Sequence, residues 1–263
     1  MSGLIPAVKT ALLSKRLMVV RPTGDSELLA LIEKMKPVNT GYELIRVGGQ
    51  GDGGYLIPDD LDGIEYCFSP GVSKISEFEN ELANFKIRSF MADYAVEKPA
   101  ITRPEFTFDK KFLGSFNHDQ FFTLQSWKDT YLGDYKSDMI LQMDIEGAEY
   151  EVLLSTPEDL LDQFRVIVIE FHALDLLFDR FAFRMMKPAI ERRLQFFNVV
   201  HIHPNNNRPV LKRGDIEIPW MLEITFHNRK RARQLTPQRV FPHKLDVDNT
   251  PNEHIVLPSC WHA

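Results

Sequence analysis

Two carboxylates follow a short apolar run in the middle of the chain. The run 139–143 (MILQM) precedes Asp144, Glu146 follows one residue later, and Gly147 leads into an acidic segment of helical character. Such a run is typical of a buried strand, and open α/β sheets bind ligands at the carboxyl ends of their strands. The spacing therefore predicts that a rigid element places Asp144 and Glu146 where they do chemistry or hold a ligand.

A second polar pair closes the β-branched run 165–171 (RVIVIEF). Glu170 lies near its end and His172 follows directly. His172 is the best candidate for a general base acting on a hydroxyl nucleophile, because the ordinary pKa of histidine lies near neutrality. Asp144 and Glu170 are the accompanying catalytic candidates. The same three side chains could instead bind Mg²⁺ or Mn²⁺, or form a metal-free hydrogen-bonded cluster, and their spacing leaves these alternatives open.

Further polar residues lie at or near the ends of later apolar runs, where an acceptor molecule could bind. A charged group inside so apolar a strand as 220–226 is costly to bury unless it is paired. A glycine-rich segment at 48–54 is a further candidate, either as a hairpin turn or as a loop close to a ligand. The predicted substrate-binding residues are Tyr55, His201, His203, Asn205 and Glu223.

Three earlier strand ends carry features that suit a nucleoside ligand. Gly71 follows the predicted strand 64–69, and a glycine there lets a ligand approach the backbone. Asp93 follows the next strand, where an acid commonly accepts hydrogen bonds from ribose hydroxyls. Glu77, on the helix between them, is a rival candidate together with Glu79. The chain has no GxGxxG motif, which disfavours a dinucleotide site.

Strand and helix patterns alternate over about 165 residues from residue 64, which predicts a mostly parallel sheet covered on both faces. The long apolar periodicity over 174–197 predicts a single amphipathic helix near the end of this region. The expected organisation has three parts: an N-terminal helical extension at 1–40, the main domain at 41–233 and an irregular C-terminal tail at 234–263.

Composition limits the classes of protein to which the chain can belong. Its 263 residues carry a net charge of −6 and are 44% hydrophobic, as is ordinary for a globular protein that does not bind nucleic acid. No apolar run reaches the roughly 18 residues of a membrane-spanning helix. The two cysteines, Cys67 and Cys260, do not indicate a disulfide framework, so a reducing, cytoplasmic location is expected.

These motifs resemble the FkbM-like family of S-adenosylmethionine (SAM)-dependent methyltransferases, over residues 50–227. The resemblance rests on four segments, which are 68–83 (FSPGVSKISEFENELA), 141–153 (LQMDIEGAEYEVL), 166–172 (VIVIEFH) and 201–206 (HIHPNN).

The resemblance implies a Rossmann-like class I methyltransferase fold, with a mostly parallel seven-stranded sheet, helices on both faces and an antiparallel last strand. It implies SAM as cofactor, with Gly71 and Ser73 beside its methionine part and Asp93 at its ribose. Asp144 and Glu146 would flank the reaction centre. The chain departs from the family at 69–73 (SPGVS), where an acidic residue usually begins the glycine motif.

The expected function is methyl transfer from SAM to a hydroxyl of a sugar, glycan or glycosylated metabolite. Two alternatives remain open at this point. One is an N- or C-methyltransferase of a small metabolite, and the other is a catalytically inactive SAM-binding module.

Overall fold

The computed structural model describes residue 9, residues 12–15 and residues 19–263. The predicted extension at 1–40 falls partly on residues outside this description. Its described part contains the expected helix, which begins at Asp25 and ends at Met35, before Pro37. Within the described residues, no helix combines the length and the apolar character needed to cross a bilayer.

The helices whose bounds lie within the described residues are, in order, α1 (Asp25–Met35), α2 (Glu77–Asn84), α3 (Leu124–Leu132), α4 (Glu149–Ser155), α5 (Glu158–Leu161) and α6 (Arg180–Leu194). Short 3-10 helices lie at Leu174–Phe178, Arg229–Arg231 and Ser259–Trp261. The strands are β1 (Val38–Asn39), β2 (Leu44–Gly48), β3 (Gly54–Pro58), β4 (Tyr66–Pro70), β5 (Arg88–Ala92), β6 (Phe106–Asp109), β7 (Phe112–Leu113), β8 (Phe121–Phe122), β9 (Met139–Met143), β10 (Phe164–Phe171), β11 (Phe197–Pro204), β12 (Val210–Arg213), β13 (Ile216–Pro219), β14 (Leu222–Asn228) and β15 (Thr236–Pro237).

Seven of these strands form the central sheet, in the order β11-β14-β10-β9-β4-β5-β6. In this sheet, neighbouring strands among β10, β9, β4, β5 and β6 pair in parallel. Strand β14 runs antiparallel to both β10 and β11. The predicted Rossmann-like fold, with a mostly parallel seven-stranded sheet and an antiparallel last strand, is confirmed. Because the parallel strands point the same way, the residues that follow them meet at one edge.

The two faces of the sheet carry separate apolar cores, since successive side chains of a strand point to opposite faces. On β4, Phe68 belongs to the larger core, whereas its neighbour Cys67 belongs to the smaller one. The larger core includes side chains of α1, α3, α4 and α6. The smaller core includes side chains of α2 and of the antiparallel hairpin β2–β3. Both faces of the central strands are therefore buried.

The single helix predicted over 174–197 is divided in the structure. A 3-10 helix ends at Phe178, and α6 begins at Arg180. Asp179 separates them because its Oδ1 accepts hydrogen bonds from the backbone N–H groups of Phe181 (2.7 Å) and Ala182 (2.8 Å). An aspartate at this position satisfies amide groups that a helix leaves unpaired at its start. The prediction of one continuous helix is wrong for this local reason.

The C-terminal residues 234–263 are mostly irregular but are tied to the main domain. Thr236–Pro237 pairs with Val38–Asn39 as a short antiparallel ladder. Near the end, Trp261 is buried and its indole Nε1 donates to the backbone oxygen of Glu217 (2.9 Å). These contacts hold the segment between them over the domain, close to the ends of β11 and β14.

Candidate active site

The loops that follow β4 and β9 touch at the carboxyl edge of the sheet. Gly71 has a φ of +87°, and a Cβ at this position would lie 1.5 Å from the backbone oxygen of Asp144. The Asp144 N–H in turn faces the Pro70 oxygen at 3.3 Å. Only glycine accommodates both this conformation and this close approach. The contact places Asp144 directly beside the first strand end.

Strained backbone is concentrated at the same edge. Three residues other than glycine that follow sheet strands have positive φ: Ser73 (43°), Glu146 (56°) and Ala173 (54°). Such conformations cost free energy and are found preferentially at binding and catalytic sites. The strand ends after β4, β9 and β10 therefore have the character of a functional site.

The larger of two cavities at this edge has a volume of about 370 Å³. Part of its wall is apolar, from Phe112, Leu113, Phe121 and Ile145, and Asp93 supplies a carboxylate. Asp93 is held in place because its two oxygens accept the backbone N–H groups of Ser73 (2.8 Å) and Ala95 (2.7 Å). An apolar slot beside an anchored acid suits a flat heterocycle attached to a ribose.

The smaller cavity has a volume of about 140 Å³ and shares its border with the larger one. The residues common to both cavities are Gly71, Ser73, Asp144 and Glu146. The smaller cavity is also lined by Asp52 and Glu79, and no lysine, arginine or histidine is among the described residues that line either cavity. This acidic, two-lobed cleft favours a positively charged ligand and disfavours phosphate.

His172 lies beside the shared border, with its two ring nitrogens in different surroundings. Nδ1 is 3.1 Å from Oε1 of Glu149, a buried residue of α4 whose Oε1 also accepts the backbone N–H groups of Ile145 and Gly147. Nε2 faces carboxylate oxygens of Asp144 (3.7 Å), Glu146 (3.6 Å) and Glu170 (4.0 Å) without a hydrogen bond. Glu149 thus orients the ring, and Nε2 keeps its lone pair for a proton.

Protonation at this edge is set by burial among several carboxylates. Burial raises the pKa of Asp144 to about 7, although His172 opposes the shift. Burial and the nearby Asp144 and Glu223 also hold the pKa of Glu170 well above its usual range. Burial lowers the pKa of His172, but the hydrogen bond to Glu149 and the charges of Glu149 and Asp144 outweigh it, so the net shift is upward. The protonation of each of these groups therefore depends on the charges of its neighbours.

Comparison with known proteins assigns this edge of the sheet to a family. Residues 100–197 match the family described as the methyltransferase FkbM domain, a stretch that includes Asp144, Glu170 and His172. No curated protein matches the chain. The matched part of the chain is an FkbM-like methyltransferase domain. The resemblance predicted from its motifs is confirmed.

The residues predicted to bind the acceptor in this methyltransferase are buried, and all except His203 form a side-chain hydrogen bond. His201 Nε2 is 2.8 Å from Asp246, and His203 Nδ1 is 3.8 Å from the same carboxylate. Asn205 donates to Glu170 (2.8 Å). The histidines therefore face the C-terminal segment instead of an open cleft, while Asn205 supports a catalytic candidate.

The other two predicted acceptor residues lie nearer to the cleft. Glu223 accepts a hydrogen bond from Asn249 of the C-terminal segment (2.5 Å). Tyr55 lines the smaller cavity, and its hydroxyl accepts from Gln142 (3.2 Å). The glycine-rich segment before it is a hairpin, as one of the two interpretations predicted, and it brings Asp52 to the cavity wall. Its approach to a ligand stays a prediction.

The three predicted metal ligands, Asp144, Glu170 and His172, lie close together. The carboxylates of Asp144 and Glu170 are 3.7 Å and 4.0 Å from His172 Nε2. Within the described chain, Asp144, His172 and Glu149 have ligand atoms within 4.8 Å of one another, and so does a second group of Asp52, Glu170 and Glu223. The first group replaces Glu170 of the predicted set with Glu149. A divalent cation in this methyltransferase stays a prediction.

Two residues near the methyltransferase site were not selected from the sequence. Glu149 lies three residues after Glu146, within the same acidic segment, and this proximity was the available signal. The ring centroid of Trp220 lies 6.4 Å from that of His172, and the Arg208 guanidinium lies 5.3 Å from the Trp220 ring. Of the two rival candidates on α2, Glu79 lines the smaller cavity, whereas Glu77 is exposed and lines neither cavity.

Proposed function

We propose that the protein transfers a methyl group from SAM to a hydroxyl of a sugar, glycan or glycosylated metabolite, with His172 as the general base. The observation that carries this proposal is the orientation of His172: Nδ1 is bound to Glu149 and Nε2 faces the border of a two-lobed acidic cleft. A histidine held in this way by a carboxylate is arranged for proton abstraction.

The residues of the cleft fit SAM. The larger cavity would take the adenosine part, with Asp93 at the ribose and Phe112, Phe121 and Ile145 against the adenine. The smaller cavity would take the methionine part, past Gly71 and Ser73. When bound, SAM supplies an activated methyl group on a sulfonium, and the acidic lining favours that cation over a phosphate-bearing ligand.

The residues of the chain have few tasks in this reaction. They hold the acceptor oxygen in line with the methyl group and the sulfur, because alignment removes much of the barrier. Nε2 of His172 would take the hydroxyl proton as the acceptor oxygen receives the methyl group. Glu149 stabilises the resulting imidazolium through Nδ1. The charges of Asp144 and Glu146 also raise the proton affinity of the ring.

Trp220 supports a carbohydrate acceptor over a simple amine. Its ring lies next to that of His172, with 6.4 Å between the ring centroids, and an indole offers a flat apolar surface to a sugar ring. Asn205 and Glu223 were predicted to contact the acceptor. In this proposal Asn205 instead supports Glu170, and Glu223 contacts Asn249 of the C-terminal segment. Both cysteines are free, which agrees with a cytoplasmic site of action.

The proposal is tested by calorimetry with SAM, followed by turnover assays on panels of sugars and glycosides, amines and carbon acids. The expected result is binding of SAM and formation of S-adenosylhomocysteine only with hydroxylated acceptors. Turnover only on amines or carbon acids would favour the other methyltransferase class. Binding without any turnover would favour the inactive module, and absence of binding would contradict the proposal altogether.

Replacing Asp93 with alanine should weaken the binding of SAM and of 5′-methylthioadenosine by roughly 10- to 100-fold, the effect expected from losing hydrogen bonds to a charged group. Both ligands carry the ribose that Asp93 would bind. Asp119→Ala removes an exposed acid outside both cavities and should leave the two affinities unchanged. Equal affinities in wild type and Asp93→Ala, measured by calorimetry, would exclude Asp93 as the ribose ligand.

The pH dependence of kcat/KM should show an acid limb that extends above the ordinary pKa of histidine. Only the neutral ring accepts a proton, and the carboxylates around His172 raise its pKa, so activity is low below this pKa and rises as pH increases through it. Asp144, with a pKa of about 7, contributes to the same limb. In His172→Gln the dependence on this ring should disappear. A profile that is flat from about pH 6 to 8 in the wild type would contradict proton transfer to this pair.

A further inference from the structure

Glu79 is a buried acid on the wall of the smaller cavity. It lies in the first turn of α2, is 3% exposed, and lines the cavity together with Tyr55 and Gln142. Glu77, two residues earlier on the same helix, is exposed and lines neither cavity. Of the two glutamates in this helix turn, therefore, only Glu79 faces the cleft.

Glu79 has no cationic partner within the part of the chain that the structure describes. None of the ion pairs closer than 4.0 Å among those residues includes it, which is unusual for a carboxylate at this depth. Its one side-chain partner is the hydroxyl of Ser69, at the end of β4. Burial raises the pKa of Glu79 to about 7, so the group is poised between its neutral and charged forms.

A hydrogen-bonded chain fixes the position of this carboxyl group. The Ser69 hydroxyl contacts Glu79 and also lies 2.6 Å from Oε1 of Gln142, whose amide nitrogen donates to Tyr55 (3.2 Å). A hydroxyl has one proton, so Ser69 can donate to Gln142 only while a protonated Glu79 donates to Ser69. The pattern holds Glu79 at the wall of the cavity and allows it to release its proton when a cation arrives.

The other acids of the smaller cavity are less suited to hold a cation at its inner wall. Asp52 is exposed, and the Glu146 side chain is 89% exposed. Asp144 lies on the border between the two cavities and is coupled to His172. Glu79 alone combines deep burial with the absence of a positive partner.

We propose that Glu79 binds the α-ammonium group of the methionine part of SAM and so selects ligands that carry this group. The inference rests on the proposed function, which puts the adenosine part in the larger cavity and leaves the smaller one to the amino-acid part. Ser69, which contacts both Glu79 and Gln142, is then the positioning residue for this carboxylate.

The test compares two ligands that differ in the amino-acid part. S-adenosylhomocysteine carries the ammonium group but no sulfonium, and 5′-methylthioadenosine carries neither. Glu79→Gln, which preserves size and the contact with Ser69, should weaken binding of S-adenosylhomocysteine by roughly 10- to 100-fold, as expected for losing a charge-assisted hydrogen bond. Its binding of 5′-methylthioadenosine should match the wild type, and Glu77→Gln should bind both ligands like the wild type. The dissociation constants are measured by calorimetry.

A loss of affinity for S-adenosylhomocysteine below about threefold, or an equal loss for both ligands, would overturn the role of Glu79, because a charge-assisted contact contributes more than that. If Glu79→Gln does not fold, Glu79→Asp is tested instead. It keeps the negative charge, but its shorter side chain moves the carboxylate away from the cavity, so the same selective loss of affinity for S-adenosylhomocysteine is expected. The proposed function fails separately, when the wild-type protein binds neither ligand. If the wild type binds both ligands and Glu79→Gln shows no selective loss for S-adenosylhomocysteine, only the inference about Glu79 is refuted.

Discussion

Replacing His172 with alanine is expected to lower kcat by about 10²–10⁴-fold, the range that general-base catalysis contributes. The reason is geometric, because Nε2 is a ring nitrogen at the border of the cleft that has no hydrogen-bond partner among the described residues, while Nδ1 is bound to Glu149. The affinity for SAM should change little, since His172 lines neither cavity. Steady-state kinetics and calorimetry on the same preparation measure the two quantities.

His254→Ala is the matched control for this prediction. His254 also forms a pair with a carboxylate, Asp248, but it is an exposed residue of the C-terminal segment. Its removal should leave kcat near the wild-type value. His172→Gln, whose amide can replace the Nδ1 contact with Glu149, should be as inactive as the alanine variant if proton transfer is the role. An active His172→Gln protein would show that the histidine only orients its surroundings.

Gly71→Ala should have the largest structural effect of any single substitution at the cleft. The new methyl group would lie 1.5 Å from the Asp144 backbone oxygen, so the loops after β4 and β9 would have to separate. A positive φ costs a residue other than glycine about 1–2 kcal/mol, and overpacking adds about 1–3 kcal/mol. We expect a clear fall in the free energy of unfolding and at least roughly tenfold weaker SAM binding, because Gly71 borders both cavities.

Gly63→Ala separates the two contributions. Gly63 also has a positive φ, +78°, but apart from its two chain neighbours no described residue has an atom within 4 Å of the position that its Cβ would take. It should therefore show only the conformational cost and normal SAM affinity. Denaturant unfolding and calorimetry compare the two variants. Equal losses of stability in both, with SAM affinity retained in Gly71→Ala, would mean that the contact between the two loops is unimportant for the cleft.

Local sequence patterns determined most of the fold. The apolar run before Asp144 was predicted as the strand 139–143, which is the strand observed, and the following helix differs by one residue at each end. These patterns are readable because strand and helix periodicities involve neighbours in sequence. Parallel strands also bring their carboxyl ends to one edge, and for that reason Gly71, Asp93, Asp144 and His172 could be grouped before any coordinates were known.

The division of roles among the acids was decided by the tertiary structure. Both Glu77 and Glu79 lie in the first turn of α2, and only the packing of that helix against β2 and β5 brings Glu79 inward to Ser69. Glu149 reaches His172 across the gap between α4 and the end of β10. Sequence spacing does not contain this information, since alternating acids on a helix are equivalent until one face is buried.

The surroundings of the late histidines depend on contacts over a still longer distance in sequence. His201 and Asp246 are separated by 45 residues, and Asn249 contacts Glu223 across 26. The sequence by itself determined the order of strands and helices and the polar residues at their ends, because these follow from short-range periodicity and chain direction. Only the tertiary structure decided which of those residues face the cleft and which face the C-terminal segment. That depends on how an irregular stretch of chain packs against the central sheet.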